Sequence, residues 1–155
     1  MNRCTWCNLD NPKYIEYHDN EWGVLNTHDN YLFELLILES FQAGLSWECV
    51  LNKRDSFKAS YDNFDIDKVV NYDEDKINEL MNNKNIIRNK LKIKASINNA
   101  RIFKNIVNEY GSFYSYLCKF TNNKIYYEVG KSTNWLSDSI SKDLTIKGMK
   151  FVGSV

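Results

Sequence analysis

Residues 36–47 read LILESFQAGLSW, and this stretch decides the fold class. Its apolar side chains continue a run that includes Leu32 and Leu35, with the spacing of a buried helix face. Gly44 interrupts the run, and a second helix can begin near Ser46. A helix, a tight turn and another helix in so short a stretch are typical of an all-α protein.

Helical spacing continues along the rest of the chain, which contains one proline and six glycines. We expect Asp29 to cap the first of these helices, and a longer amphipathic helix from Ile93 to Gly111. Asparagine- and lysine-rich stretches separate the helices but are too short to divide domains. We therefore predict a single compact domain over residues 1–155. Shorter helices are expected at Asp65–Val70, Asp73–Met81 and Asp138–Ile146.

The net charge indicates no particular partner, because 20 basic residues balance 20 acidic ones. Their distribution along the chain is uneven. Seven basic residues and no acidic one lie between Lys84 and Lys104, while seven acidic residues lie between Asp62 and Glu79. The basic stretch has helical pieces around a polar turn, which could present N–H groups and cations to phosphate. A solvated lysine-rich face is the alternative.

The N-terminal sequence lacks the apolar segment of a secretion signal, and no apolar run is long enough to span a membrane. We therefore expect a reduced, cytoplasmic protein with no membrane contact. In such a protein the four cysteines are metal ligands or core thiols rather than disulfides. Cys49 and Cys118 have no liganding neighbours in sequence and are expected in the core.

Cys4, Cys7 and His18 have half of the pattern of a zinc site, since thiolates and imidazole are ligands that zinc prefers. The usual second pair of ligands is absent. His28 is the only other histidine, and its position before a predicted helix favours a capping or solvent role.

Glu39 is the most informative single residue. It lies three residues after Leu36 and four before Ala43, so helical geometry places its carboxylate on the apolar face. A buried carboxylate must have a partner, and carboxylates in such places are candidate functional groups. A structural acid that caps a helix or pairs with a buried arginine is the alternative.

The first 47 residues are also rich in aromatic side chains. Flat π faces beside a carboxylate describe a pocket for a planar, cationic or hydrogen-bonding ring, although ordinary core packing is the alternative. These residues are Trp6, Tyr14, Tyr17, Trp22, Phe33, Phe41 and Trp47.

Five segments occur together in an order and spacing that resemble the 3-methyladenine DNA glycosylase I family, and the resemblance covers almost the whole chain. YHDNEWG (17–23) and ESFQAGLSW (39–47) are its most specific motifs. The segments are RCTWC, PKYIEYHDNEWGV, LFELLILESFQAGLSWECVLNKR, IIRNKLKIKASINNAR and SKDLTIKGMKFVGS.

This resemblance implies an all-α glycosylase of the helix-hairpin-helix superfamily. Such an enzyme binds double-stranded DNA containing an alkylated adenine, acts as a monomer and cuts the glycosidic bond of the flipped base. Glu39 matches the carboxylate that recognises this base. The family's aromatic base pocket is matched by Tyr17 and Trp47, as rings that sandwich or edge the base, and by Trp6, Tyr14 and Trp22.

Two segments match the family's DNA contacts. The turn at residues 42–45 matches the loop that enters the gap left by the flipped nucleotide, and residues 86–91 match the phosphate-binding hairpin. Asn85 and Leu91 stand where the family hairpin carries glycines. The expected DNA contacts are Gln42, Gly44, Leu45, Arg88, Lys90 and Lys92.

The chemistry implied by the resemblance needs little from an acid or a nucleophile. Alkylation at N3 gives adenine a positive charge and makes it a good leaving group, so recognition does most of the selection. The Gly-Pro-Asp signature of related glycosylases, with its catalytic aspartate, is not available, because the only proline is Pro12 in Asn-Pro-Lys.

The resemblance also implies a zinc site in which Cys4 and His18 supply two ligands, with Cys7 as a possible third. The family normally continues beyond FVGSV and supplies the remaining ligands there. We therefore expect a domain without this C-terminal segment, holding little or no zinc. The alternatives are a catalytically weak DNA-binding or lesion-sensing remnant of the family, and a helical interaction module unrelated to DNA.

Overall fold

The computed structural model describes residues 3–128 and 130–154. Within these ranges the chain forms nine α-helices, a 3₁₀ turn at Asp62–Phe64 and no β-strand, which confirms the predicted all-α class. None of the helices in this part of the chain has the length and apolar character needed to cross a membrane. The helices are α1 (Pro12–Asn20), α2 (Asp29–Gln42), α3 (Trp47–Leu51), α4 (Arg54–Ser60), α5 (Ile66–Val69), α6 (Glu74–Asn82), α7 (Lys90–Tyr110), α8 (Phe113–Thr121) and α9 (Trp135–Ile146).

Helices α2 and α7 pack against each other at the centre of the fold. Helix α7 also contacts α5, α6 and α8, while α2 also contacts α3 and α8. Buried aromatic rings join the central pair to α8: Phe33 meets Phe103 with ring centroids 5.2 Å apart, and Phe103 stacks on Phe113 at 4.2 Å. The C-terminal half of α2, which carries Glu39, is therefore held by the rigid centre of the molecule.

Most of the predicted helix boundaries are confirmed. The side chains of Ser46, Asp65 and Asp73 accept backbone N–H groups at the starts of α3, α5 and α6. Helix α7 ends where predicted, because Gly111 adopts a φ of 83° that favours glycine. The final helix begins at Trp135 rather than Asp138, since Asn134 forms a capping box with Ser137.

The predicted capping role of Asp29 is wrong. Asp29 is the first residue of α2, and His28 occupies the cap position without a side-chain cap bond. The Asp29 carboxylate instead accepts the backbone N–H of Phe113 at 2.8 Å and ties α2 to the start of α8. Cys49 and Cys118 also differ from expectation, because both are half-buried rather than in the core.

Candidate active site

A cavity of about 690 Å³ opens beside the C-terminal half of α2. Glu39, the turn at residues 42–45 and residues 151–154 all line this cavity. Helices α8 and α9 complete it with side chains that include Phe113 and Leu144. Most of the lining is apolar. The Glu39 carboxylate is the one acidic group among the lining residues of the described chain.

The sequence led us to expect Glu39 to be buried with a protein partner, but the structure shows neither burial nor a partner among the described residues. Its side chain is open to solvent at the mouth of the cavity, which lets water hydrate a carboxylate that no described residue pairs. Protein atoms enclose the group on its other sides, and this partial desolvation raises the pKa of Glu39 to about 7. The site therefore presents a carboxylate that is free to bind a ligand.

Tyr17 and Trp47 form what we call the aromatic pair. Neither ring is among the residues that line the large cavity, but Tyr17 is close enough to Glu39 for the carboxylate to act on its phenol. Their ring centroids are 5.4 Å apart and the planes are inclined by 60°. Burial and the nearby Glu39 carboxylate raise the pKa of Tyr17 to about 12, so its phenol stays neutral. The buried indole N–H of Trp47 has no acceptor among the described residues. Inclined rings at this spacing offer a face and an edge to a ligand rather than a parallel slot.

The other predicted pocket aromatics form a separate group around Trp6, which packs against side chains of α1 and of the residues that follow it. Trp6 contacts Tyr14, Trp22 and His18 at centroid distances of 5.5, 5.2 and 5.1 Å. His18 in turn stacks on Trp22 at 5.7 Å. Among the described residues none of these rings stacks on the aromatic pair or lines the large cavity, so a role for Trp6, Tyr14 and Trp22 in base binding stays a prediction.

A charge network, which the sequence reasoning missed, fixes α1 to α2 and α4. Arg54 donates to Glu21 at 2.7 Å and to Glu34 at 2.6 Å, and Tyr31 donates to Glu21 at 2.9 Å. Burial by itself would lower the pKa of Arg54, but the two carboxylates raise it above its usual value. Because the backbone N–H of Glu21 donates to the carbonyl of Tyr17, the network also holds the aromatic pair. Glu34 shares the apolar run of α2, so the argument applied to Glu39 could have identified it.

The turn after α2 is an exposed and tightly bent segment. Gln42, Gly44 and Leu45 line the cavity with Glu39, and the backbone N–H of Leu45 donates to the carbonyl of Gln42 at 2.6 Å. Gly44 has a φ of 78°, a conformation that favours glycine. Leu45 is 42% exposed, so its side chain is accessible at the tip of this turn. Their contacts with DNA stay predictions.

The predicted phosphate contact at Lys92 is wrong. Its side chain is buried, and Nζ donates to the carbonyls of Phe41 and Ala43 at 2.8 and 2.5 Å. The sequence placed it beside a polar turn, but the pairing crosses to α2. Lys92 therefore cannot reach a phosphate in this conformation.

The predicted hairpin is a loop at residues 83–89 that joins α6 to α7. Arg88 is exposed on it, and Lys90 follows at the start of α7, 3.8 Å from Glu74 in an exposed pair. No described residue of the loop has a positive φ, so Asn85 and Leu91 are compatible with its geometry in place of glycine. The loop is ordered by its own polar side chains, since Asn89 caps α7.

The basic and acidic stretches, which are separate in sequence, meet in space. Lys94 pairs with Glu74 at 2.7 Å, and Lys104 pairs with Asp67 at 2.8 Å. Much of the positive charge of α7 is therefore neutralised along its length. The loop at residues 83–89, with Arg88, remains the part of this face best able to meet a polyanion.

In the N-terminal cluster, defined as Cys4, Cys7 and His18, the described side chains hydrogen-bond to protein atoms. His18 accepts the backbone N–H of Cys4 at its Nε2 atom (3.2 Å), while its Nδ1 atom pairs with Asp19 at 2.9 Å. The Cys7 thiol donates to the carbonyl of Tyr14 at 3.8 Å. Across residues 3–128 and 130–154 there is no group of three or more suitable ligands. The low zinc content expected from the sequence stays a prediction.

The family model described as methyladenine glycosylase matches residues 6–155. The chain belongs to this family. Among characterised relatives it is 40% identical to DNA-3-methyladenine glycosylase 1 of Escherichia coli over 99% of this chain and 85% of that protein. It is 33% identical to the DNA-3-methyladenine glycosylase of Haemophilus influenzae, covering 97% of this chain and 84% of the relative.

Solved structures of the family have the same fold. A crystal structure of 3-methyladenine DNA glycosylase I superposes with a TM-score of 0.93 at 36% identity, covering 99% of this chain and 87% of that one. A Staphylococcus aureus 3-methyladenine DNA glycosylase I, whose structure concerns 3-methyladenine recognition, gives a TM-score of 0.91 at 34% identity, covering 99% and 85%. The all-α glycosylase architecture expected from the sequence is thus confirmed.

Proposed function

We propose that this protein is a monofunctional DNA glycosylase, which flips 3-methyladenine out of the duplex and hydrolyses its N-glycosidic bond. The observation that carries the proposal is the unpaired Glu39 carboxylate, which lines the cavity with the turn at residues 42–45 and acts on Tyr17 of the aromatic pair. The support from relatives is that proteins 40% and 33% identical to this one are named for that activity.

Glu39 suits a cationic purine better than an ordinary adenine. A carboxylate attracts the positive charge that methylation at N3 creates, and it can accept a hydrogen bond from the exocyclic amine side of the base. An unmodified adenine has no such charge to be attracted. Selection therefore comes from the charge of the lesion, which is the property that also weakens its glycosidic bond.

The aromatic pair supplies the second part of recognition. Stacking a base on an aromatic ring contributes about 1–3 kcal/mol, and everting a damaged nucleotide costs a few kcal/mol. The two quantities are of similar size, so stacking on Trp47 or Tyr17 can offset much of the cost of eversion.

The bond-breaking step then needs no strong acid. The pair of electrons in the glycosidic bond moves to the base and cancels its positive charge, and the oxygen of a water molecule bonds to C1′ of the sugar and loses a proton. Glu39 favours the cationic base before the bond breaks and the cationic sugar as it forms, because a fixed negative charge stabilises both. The products are free 3-methyladenine and an abasic site.

Double-stranded DNA is the proposed partner, and the protein is proposed to act on it as a monomer in a reducing, cytoplasmic setting. The loop at residues 83–89 would hold the phosphates as the hairpin, while Leu45 would fill the space of the flipped nucleotide. Four cysteines without a disulfide fit that setting.

The proposal is tested by incubating the purified protein with a duplex that carries a single 3-methyladenine and measuring released base by mass spectrometry. We expect free 3-methyladenine and an uncut abasic strand, with no release from the unmodified duplex. Salt-dependent duplex binding without base release would instead indicate a lesion-binding protein. Absence of both duplex binding and base release would show that DNA is not the partner of this protein.

A further inference from the structure

Lys92 is the one buried lysine among the described residues, with a residue exposure of 6%. It occupies the first turn of α7, and its ammonium group donates to two carbonyls at the end of α2, those of Phe41 and Ala43. No carboxylate of the described chain pairs with it, and burial lowers the pKa of Lys92. The contacts of this cation are therefore backbone carbonyls, with the ring of Phe151 at 5.9 Å.

The position of these carbonyls explains why a cation is tolerated here. The last carbonyls of a helix have no partner within the helix and carry the negative end of its dipole. Lys92 satisfies two such groups, so it acts as a C-terminal cap that comes from another helix. An apolar side chain of similar length would fill the same space but would leave both carbonyls without a donor.

The capped segment is the turn proposed to enter DNA. Ala43 leaves the helical conformation with φ −46° and ψ 113°, and the chain then reverses at Gly44 to present Leu45. Glu39 lies just before Phe41 on the same helix end. Fixing the carbonyls of Phe41 and Ala43 therefore fixes the direction in which both the turn and Glu39 face the cavity.

The backbone of Lys92 is hydrogen-bonded to the end of the loop at residues 83–89. Its backbone N–H donates to the side chain of Asn89 at 3.1 Å, the cap that ends the loop at residues 83–89. A single residue thus bridges the loop proposed to hold phosphate and the turn proposed to replace the flipped base. The two contacts are made by atoms of the same residue, so displacement of one segment is transmitted to the other.

We propose that Lys92 is a positioning residue, which locks the turn at residues 42–45 onto the hairpin so that Leu45 enters the duplex when the phosphates are bound. This inference rests on the proposed glycosylase function. Lys92 touches neither base nor phosphate in this role. Its contribution is to base eversion and excision rather than to the affinity for DNA.

The test compares Lys92→Met with the matched control Lys94→Met. Both changes remove one ammonium group from the first turns of α7, but Lys94 is exposed and pairs only with Glu74. For Lys92→Met we expect the single-turnover excision rate at saturating duplex to fall about 10- to 100-fold, the range for a misplaced reacting group. The salt dependence of duplex binding should not change. Lys94→Met should excise like the wild type.

A 2-aminopurine placed next to the lesion reports eversion directly, and its fluorescence rise should be reduced in Lys92→Met. Wild-type excision and eversion by this variant would overturn the proposal, as would a shallower salt slope, which would make Lys92 a phosphate contact. If the wild-type protein itself releases no base, the proposed glycosylase function fails instead, so the two failures are distinguishable.

A double-mutant cycle separates positioning from general loss of stability. If Lys92 acts through the turn, combining Lys92→Met with Leu45→Ala should be hardly slower than the slower single variant. The rates are normalised to folded protein by circular dichroism. If the fold-reduction in the double variant equals the product of the two single reductions, Lys92 acts independently of Leu45 and the proposal is contradicted.

Discussion

The raised pKa of Glu39 predicts a pH dependence that can be worked out from the structure. Partial desolvation raises the pKa from its ordinary value of 4.5 to about 7. The carboxylate form attracts a cationic base, whereas the acid form does not. With a pKa of about 7, about a tenth of the molecules carry the carboxylate at pH 6 and about nine tenths at pH 8, so the excision rate should rise about tenfold.

The assay is single-turnover base release at subsaturating duplex, which reports the protonation state of the free enzyme. Stability should move in the opposite direction. The folded protein holds the Glu39 proton more tightly than the unfolded chain does, so this group lowers the free energy of unfolding as the pH rises from about 4.5 to about 7. Tyr17 remains protonated throughout, because its pKa is about 12.

The matched control is Glu39→Gln, which has no proton to lose. Its residual activity should be flat between pH 6 and 8, and its free energy of unfolding should not show the fall assigned to Glu39. A wild-type excision rate that is independent of pH, or that decreases toward pH 8, would show that the carboxylate form of Glu39 is not the active form.

Three other predictions follow from single features of the fold. Arg54→Met leaves Glu34 buried with only a partly exposed lysine nearby, so it should lower the free energy of unfolding in urea by about 3 kcal/mol. Lys13→Met breaks an exposed pair and should lower it by less than about 1 kcal/mol. Equal effects of the two changes would show that the charge network does not stabilise the fold. Arg88→Ala should make the slope of log affinity against log salt concentration shallower by about 0.9, and Lys104→Ala should leave the slope unchanged. An unaltered slope for Arg88→Ala would show that Arg88 of the loop at residues 83–89 does not contact phosphate. Elemental analysis should find no zinc or a substoichiometric amount, and one tightly held zinc per chain would overturn our assignment of the N-terminal cluster.

Local signals explain why the helices could be predicted from sequence. Helix α7 keeps its apolar spacing over many turns and ends at a glycine, and the caps at Ser46 and Asp73 act within a few residues of their own position. Helix α1 had comparable signals, since Asn11 caps it and Pro12 starts it, but its polar composition hid the apolar face.

The errors at Lys92 and Asp29 share one physical cause, which is pairing between residues far apart in sequence. Lys92 is followed by a helical pattern and preceded by a polar turn, so sequence alone places it on a basic surface, whereas its partners lie about 50 residues away on α2. Asp29 likewise caps α8 rather than its own helix. Glu39 was identified from its helical face, but its hydration depends on a cavity assembled from α8, α9 and the last described residues.

Glu39→Gln at pH 8 shows whether Glu39 reads the methylated base. The amide keeps the volume but removes the charge and turns an acceptor into a donor. Loss of one charge-assisted contact of this kind costs about 2–4 kcal/mol, which corresponds to a rate of 3-methyladenine release about 30- to 1,000-fold lower. The account predicts this loss in single-turnover experiments normalised to folded protein, with binding to undamaged duplex retained. Wild-type turnover by the folded fraction of a destabilised Gln variant would contradict it.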